Sequence, residues 1–203
     1  MKRILYVRSS LFADASVSNQ LADEFLLDLT AKYPHSEVTS LDLAAQPLPH
    51  LSAAEFQAWL VPESERTPEQ QQLAALSDRL IGQLLAHDTL VLAIPMYNLG
   101  IPSTLKAWID RVARAGKTFR YTAQGPQGLL DGVTAHLLLA RGGEYRGTPL
   151  DTQTGHLQSV LGLMGITAIE SVYAEGLNMG NARRAQGLAE ARSAMKTLLS
   201  EAA

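Results

Sequence analysis

Apolar residues in this chain follow two rhythms. Short apolar runs at residues 4–7, 89–94, 134–139 and 169–174, with a weaker one at 38–41, read as strands, and the run at 89–94, β-branched and leucine-rich without polar alternation, reads as a parallel strand buried on both faces. Between them the apolar positions recur at helical spacing, as Leu21, Phe25 and Leu29, then Leu73, Leu76, Leu80 and Leu84, then Leu105, Ile109 and Val112, then Leu157, Leu161 and Met164. A last helix is expected over residues 182–199. Tyr33-Pro34 stops the first helix, and Thr67-Pro68-Glu69-Gln70 reads as a capping box that opens the second. Five strands alternating with five helices predict an α/β fold: a doubly wound five-stranded parallel sheet of order 2-1-3-4-5, with helices on both faces.

Composition narrows what such a fold can do. The 203 residues, 46% of them hydrophobic, suffice for one domain over residues 1–203. With 20 acidic and 17 basic residues there is no basic footprint for nucleic acid or an anionic membrane. Small molecules or another protein are the expected partners. The chain has no cysteine, so disulfides, thiolate metal sites and a cysteine nucleophile are excluded, and redox chemistry needs a bound cofactor. The histidines His35, His50, His87, His136 and His156 show no ligand spacing, and no metal is expected. The N-terminal apolar stretch is too short for a signal peptide or a membrane span, and a cytoplasmic protein is expected. G-x-G-x-x-G, G-x-x-x-x-G-K-[ST] and G-x-S-x-G are all missing, which counts against a dedicated dinucleotide site, a triphosphate loop and an α/β hydrolase.

In the predicted strand order, strands one, three and four are neighbours, and ligands collect outside the carboxyl ends of such strands. The first loop carries Ser10, Ser16, Val17 and Ser18 at the start of a helix, where free N–H groups and hydroxyls suit a terminal phosphate. Plain helix capping by Ser16 or Ser18 is the alternative. The third strand runs into Pro95-Met96-Tyr97-Asn98-Leu99, where a flat apolar wall beside an amide suits a planar heterocycle with imide-like edges. An ordinary strand-to-helix turn, with Pro102 in the first turn of the next helix, also fits. The fourth strand ends in Ala140-Arg141-Gly142-Gly143, whose glycines let the backbone approach a ligand, or simply turn the chain. Three such signals at three adjacent strand ends are taken as one site.

Ser10 with Ser16-Val17-Ser18, Pro95-Met96-Tyr97-Asn98, and Arg141-Gly142-Gly143 together resemble the FMN-dependent NADH azoreductase family, also described as NADH:quinone oxidoreductases, with a flavodoxin-like fold. Ser18-Asn19-Gln20-Leu21, Asp42-Leu43-Ala44-Ala45 and the stretch from Val112 through Phe119-Arg120-Tyr121 extend the likeness over the whole chain. The resemblance implies that the first loop holds the FMN phosphate, that Met96, Tyr97, Asn98 and Leu99 pack on and bond the ring system, and that Ala140, Arg141, Gly142 and Gly143 reach its pyrimidine side. It also implies a homodimer with the flavin near the interface, and NADH as donor with NADPH left open. Quinones and azo compounds would be the acceptors, reduced in ping-pong fashion. No residue is then catalytic in the narrow sense. Phe119 and Tyr121 are candidates for substrate stacking, with a core role as the alternative.

Ala140 stands where the family usually has serine, Leu99 where phenylalanine is common, and Leu163 where another pocket phenylalanine can sit; residues 51–66 match poorly. Residues 51–66 are expected to form a loop, which in relatives helps to shape the pocket, and these departures bear on substrate range more than on FMN. The basic group Arg111, Arg114, Lys117 and Arg120 reads as a solvated helix end, with a dinucleotide-phosphate or dimer contact as the alternative. A single-electron flavin carrier is the second hypothesis, but the chain lacks the strongly acidic face it needs. A flavin-free signalling domain is the third, and would need an acidic cluster where Ser9 and Pro95 stand.

Overall fold

The computed structural model describes residues 1–201. Five strands, β1 (Arg3–Arg8), β2 (Glu37–Asp42), β3 (Thr89–Pro95), β6 (Thr134–Ala140) and β7 (Ala168–Ala174), form one parallel sheet in the order β2-β1-β3-β6-β7. The expected fourth and fifth strands are β6 and β7, so the predicted topology stands under a different numbering. Two further strands, β4 (Phe119–Thr122) and β5 (Gly125–Gly128), make a separate antiparallel hairpin.

Residues of β3 alternate between two cores, as the period of two requires. Leu90, Leu92 and Ile94 face one hydrophobic cluster, and Val91 and Ala93 face the other. Helices α1 (Val17–Lys32) and α6 (Asn181–Glu201) cover the second cluster, with Phe25 fully buried and Ala191 and Met195 beside it. Helices α3 (Pro68–Leu85), α4 (Ser103–Val112) and α5 (Thr152–Leu163) cover the first, through Leu84, Trp108 and Leu161. Each such side chain contributes about 1.5 to 3 kcal/mol by leaving water, and together they fix the sheet's carboxyl edge. No helix among the described residues is long and apolar enough to cross a membrane.

Several local expectations change. Residues 51–66 hold a helix, α2 (Ala53–Leu60), opened by a Ser52–Glu55 capping box. The Thr67–Gln70 box forms as expected, with Pro68 at the first position. Pro102 is the N-cap of α4 and not part of its first turn. On α3 the buried stripe is rotated: Ala74, Ser77, Leu80, Ile81 and Leu84 are buried, whereas Leu73 and Leu76 are only half-buried. The small residues let α3 approach α4 closely enough for Ser77 Oγ to donate to the Arg111 carbonyl at 2.7 Å.

Candidate functional site

Because β1, β3 and β6 are adjacent, the loops that follow them meet at one edge of the sheet. There they enclose a cavity of about 240 Å³ that takes in Ser10, Ser16, Val17, Ser18, Met96, Tyr97, Ala140, Arg141 and Gly142. Asn98, Leu99 and Gly143 flank it in the chain without lining it. A larger hollow of about 420 Å³, lined by His50, Gly100, Ile101, Lys106 and His156, shares none of these residues. The smaller cavity is the chemical candidate because it gathers the polar groups.

At the β1 end, Ser16 caps α1 by accepting from Asn19 N at 3.4 Å, so the capping alternative is a fact of the structure. It leaves the Val17 and Ser18 amides without intrahelical carbonyls, as helix geometry requires. Ser18 Oγ lies 3.0 Å from Ser16 Oγ, and Ser10, Ser16 and Ser18 are all buried. A desolvated cluster of hydroxyls and unpaired amides at a helix start favours an anion.

Behind β3 the chain turns tightly. Tyr97 N donates to Gly100 O at 3.0 Å and Gly100 N to Tyr97 O at 2.9 Å, while the two central residues have positive φ, 49° at Asn98 and 63° at Leu99. Asparagine tolerates that region, but leucine pays about 1 to 2 kcal/mol there. The turn persists because its surroundings over-determine it. Gln153 Nε2 donates to both Pro95 O and Gly100 O at 3.0 Å, and the Thr152 hydroxyl donates to Leu99 O. Asn98 is exposed, and its side-chain amide has no hydrogen-bond partner among the described residues.

At the β6 end the Arg141 side chain is engaged by the protein itself. Its guanidinium is fully buried, with Nη2 2.8 Å from Asp151 Oδ1, Nη1 3.2 Å from Glu175 Oε1 and Nε 3.2 Å from Gln153 Oε1. Burial works against Asp151 ionising, but hydrogen bonds from Arg141 and Thr154 outweigh it and hold the carboxyl below its ordinary range. What this segment leaves unpaired is backbone. The Gly142 and Gly143 amides have no partner among the described residues, while the Gly142 carbonyl accepts from Asn178 N at 2.9 Å.

The two aromatic candidates are not brought to this cavity. Phe119 is buried on the hairpin, and Tyr121, 75% exposed, packs edge-on against it with centroids 5.6 Å apart. The solvated-helix-end reading fails for two of its four cations. Arg111 is fully buried, 2.9 Å from Glu55 and bonded to the Pro49 carbonyl, and buried Arg114 lies 2.7 Å from Asp78 and stacks on Trp59. Burial among carboxylates and carbonyls leaves neither free for a dinucleotide. The sequence reading also missed Asn178 and Arg184, which complete the cavity wall from the loop before α6 and from its first turn. No pattern announced them, since they lie more than 150 residues from the serine loop. No metal-binding cluster is present among the described residues.

These groups fit a flavin mononucleotide on their own chemistry: unpaired amides after β1 and β6, buried hydroxyls in the first of those loops, the Met96–Tyr97 wall after β3, and no carboxylate in the lining. A family model described as Flavodoxin-like fold matches residues 2–199. The chain is 48% identical over 192 residues to the FMN-dependent NADH:quinone oxidoreductase of Azotobacter vinelandii, covering 95% of this chain and 96% of that one. It is 47% identical to the protein of the same name from Pseudoalteromonas atlantica, covering 98% of both. Among solved structures, an azoreductase from Bacillus anthracis superposes with a TM-score of 0.90 at 31% identity, covering 98% of this chain and all of that one.

Proposed function

The chain belongs to the Flavodoxin-like fold family, and from that premise we propose that it is an FMN-dependent NADH:quinone oxidoreductase that also reduces azo compounds. The observation that carries this is the meeting of three strand-end loops around one cavity whose free donors match a flavin. Relatives in sequence are named for quinone reduction, and a structural neighbour is named an azoreductase. Bound FMN would take two electrons from NADH and pass them to a quinone in one round, or to an azo bond in two.

The residues have separate tasks in this reading. The Val17 and Ser18 amides with the Ser10, Ser16 and Ser18 hydroxyls hold the phosphate, where the α1 start favours negative charge. Met96 and Tyr97 wall the ring system, Asn98 offers its side-chain amide to the ring edge, and Leu99 packs beside it from the strained turn that Thr152 and Gln153 hold. Ala140 contributes backbone where its family usually has a hydroxyl, and the Gly142 and Gly143 amides point donors at the pyrimidine oxygens. Arg141 acts at one remove by anchoring this loop to α5 through Asp151. The two cores on opposite faces of one sheet support a single domain, and the exposed hairpin supports a homodimer in which Phe119 and Tyr121 serve the partner's cavity.

An absorbance spectrum of the purified protein, reconstituted with FMN and titrated with NADH without oxygen, tests the proposal. The expected result is a flavin spectrum bleached by NADH and restored by a quinone. A protein that stays colourless in excess FMN, or that releases FAD, overturns it.

A further inference from the structure

Two arginines stand in the first turn of α6, where positive charge opposes the helix dipole. They are treated differently. Arg183 is compensated, with Nε bonded to Glu144 and Nη1 3.5 Å from Glu190. Arg184 lines the same cavity as Ser10, Ser16 and Ser18, and among the described residues no carboxylate lies within ion-pair distance of it. Among the described residues its side chain makes one hydrogen bond, from Nη1 to the Leu177 carbonyl at 3.2 Å, which fixes the guanidinium against the cavity wall and leaves its other donors unused. Arg141, the other cation in that wall, is already neutralised by Asp151 and Glu175. An arginine that breaks a helix rule without a local partner, beside a cavity free of carboxylates, marks a place built for an external anion.

We infer that Arg184 is the counter-charge of the cofactor phosphate, reaching from α6 to the phosphate that the serine loop encloses from α1. The inference rests on the FMN reading and adds a residue to it. The packing makes this reach geometrically natural: α1 and α6 lie side by side over the same face of the sheet, so their first turns open onto one cavity. The serines and amides supply direction, and Arg184 supplies charge. A planar fork suits the oxygens of a phosphate monoester, whereas the ring system, which is neutral, gains nothing from it.

The experiment compares FMN with riboflavin, which has the same ring and ribityl chain but no phosphate. Dissociation constants for both are measured by flavin fluorescence quenching on the apoprotein of the wild type, Arg184→Gln and Arg184→Lys, at several salt concentrations. Arg184→Gln is expected to weaken FMN about tenfold or more, as loss of a charge-assisted contact implies. Riboflavin affinity should stay within twofold. The salt dependence of FMN binding should become shallower, and Arg184→Lys should retain part of the FMN affinity. Equal weakening of both flavins, or of neither, overturns the assignment while leaving the FMN reading intact. A wild type that binds neither flavin overturns the reading and the assignment together. Thermal melts of the three apoproteins guard against a folding defect, since Arg184→Lys keeps the charge at the same position.

Discussion

The Tyr97 hydroxyl lies 3.1 Å from Ser10 Oγ and 3.2 Å from the Leu11 amide. One phenol therefore ties the loop after β3 to the loop after β1, so the wall for the ring and the cradle for the phosphate are held in a fixed relation. Phe12 packs edge-on against the same ring, with centroids 6.2 Å apart. Removing the hydroxyl alone should uncouple the two loops without emptying the ring's place. Tyr97→Phe is expected to cost about 1 kcal/mol of stability and to weaken FMN several-fold. Fluorescence titration with a denaturation curve checks both, and unchanged FMN affinity would remove the tie from the binding mechanism.

Leu99 holds φ of 63° without the glycine that such a turn prefers. Glycine there should be neutral or stabilising by up to about 1 kcal/mol, because relief of the left-handed strain exceeds the added chain entropy. Valine, branched at Cβ, should destabilise by 1 kcal/mol or more on the same argument, to an order of magnitude of about 1 to 3. Melting temperatures should therefore rank Leu99→Gly at or above wild type and Leu99→Val below it. The reverse order would mean that the side chain's contacts outweigh its backbone cost.

How much of this was legible depended on whether the signal was local. Thr67 and Gln70 announced α3 because a capping box precedes a strong apolar stripe; Ser52 and Glu55 make the same box, but α2 buries only Ala58, so no stripe confirmed it. The hairpin escaped notice because Phe119–Thr122 is only four residues long and its partner Gly125–Gly128, with two glycines and a proline, is composed like a turn. The serine, Met96-to-Leu99 and glycine segments could be found because each ends a strong strand. Which way Arg141 points could not be read, since Asp151, Gln153 and Glu175 reach it only after α5 and β7 are packed. Arg111 and Arg114 look like a solvated helix end until α2 and α3 bring Glu55 and Asp78 to them.

Asp151 ties acid stability to the glycine loop. Its carboxyl is ionised more readily in the folded chain than in the unfolded one, so the pair with Arg141 contributes fully above the unfolded value of about 3.9 and is lost as pH falls through the lower folded value. Asp151→Asn should cost about 2 to 3 kcal/mol at neutral pH, since Glu175 still faces the buried guanidinium. The gap in melting temperature between variant and wild type should then narrow as pH falls from about 5 towards 3. A gap that stays constant over that range would show that the loss is not one of charge.

Tyr121 stands 75% exposed beside buried Phe119, and neither lines the cavity of its own chain. Phe56 and Leu60, on the outer side of α2, are 51% and 71% exposed. Large aromatic and aliphatic side chains left in water on two projecting segments are what an interface about a two-fold axis would cover. Light scattering should then give a mass near twice 21.9 kDa. If the hairpin of one protomer roofs the partner's cavity, Tyr121→Ala should leave FMN affinity within twofold and raise the KM for a quinone several-fold, because the ring stacks on the acceptor and not on the phosphate end. Steady-state rates at saturating NADH measure the second effect, and fluorescence titration the first. A monomer with full activity would sink the shared-site arrangement. A dimer in which Tyr121→Ala changes neither constant would keep the two-fold but move the roof of the cavity to other residues, with exposed Phe56 and Leu60 the next to substitute.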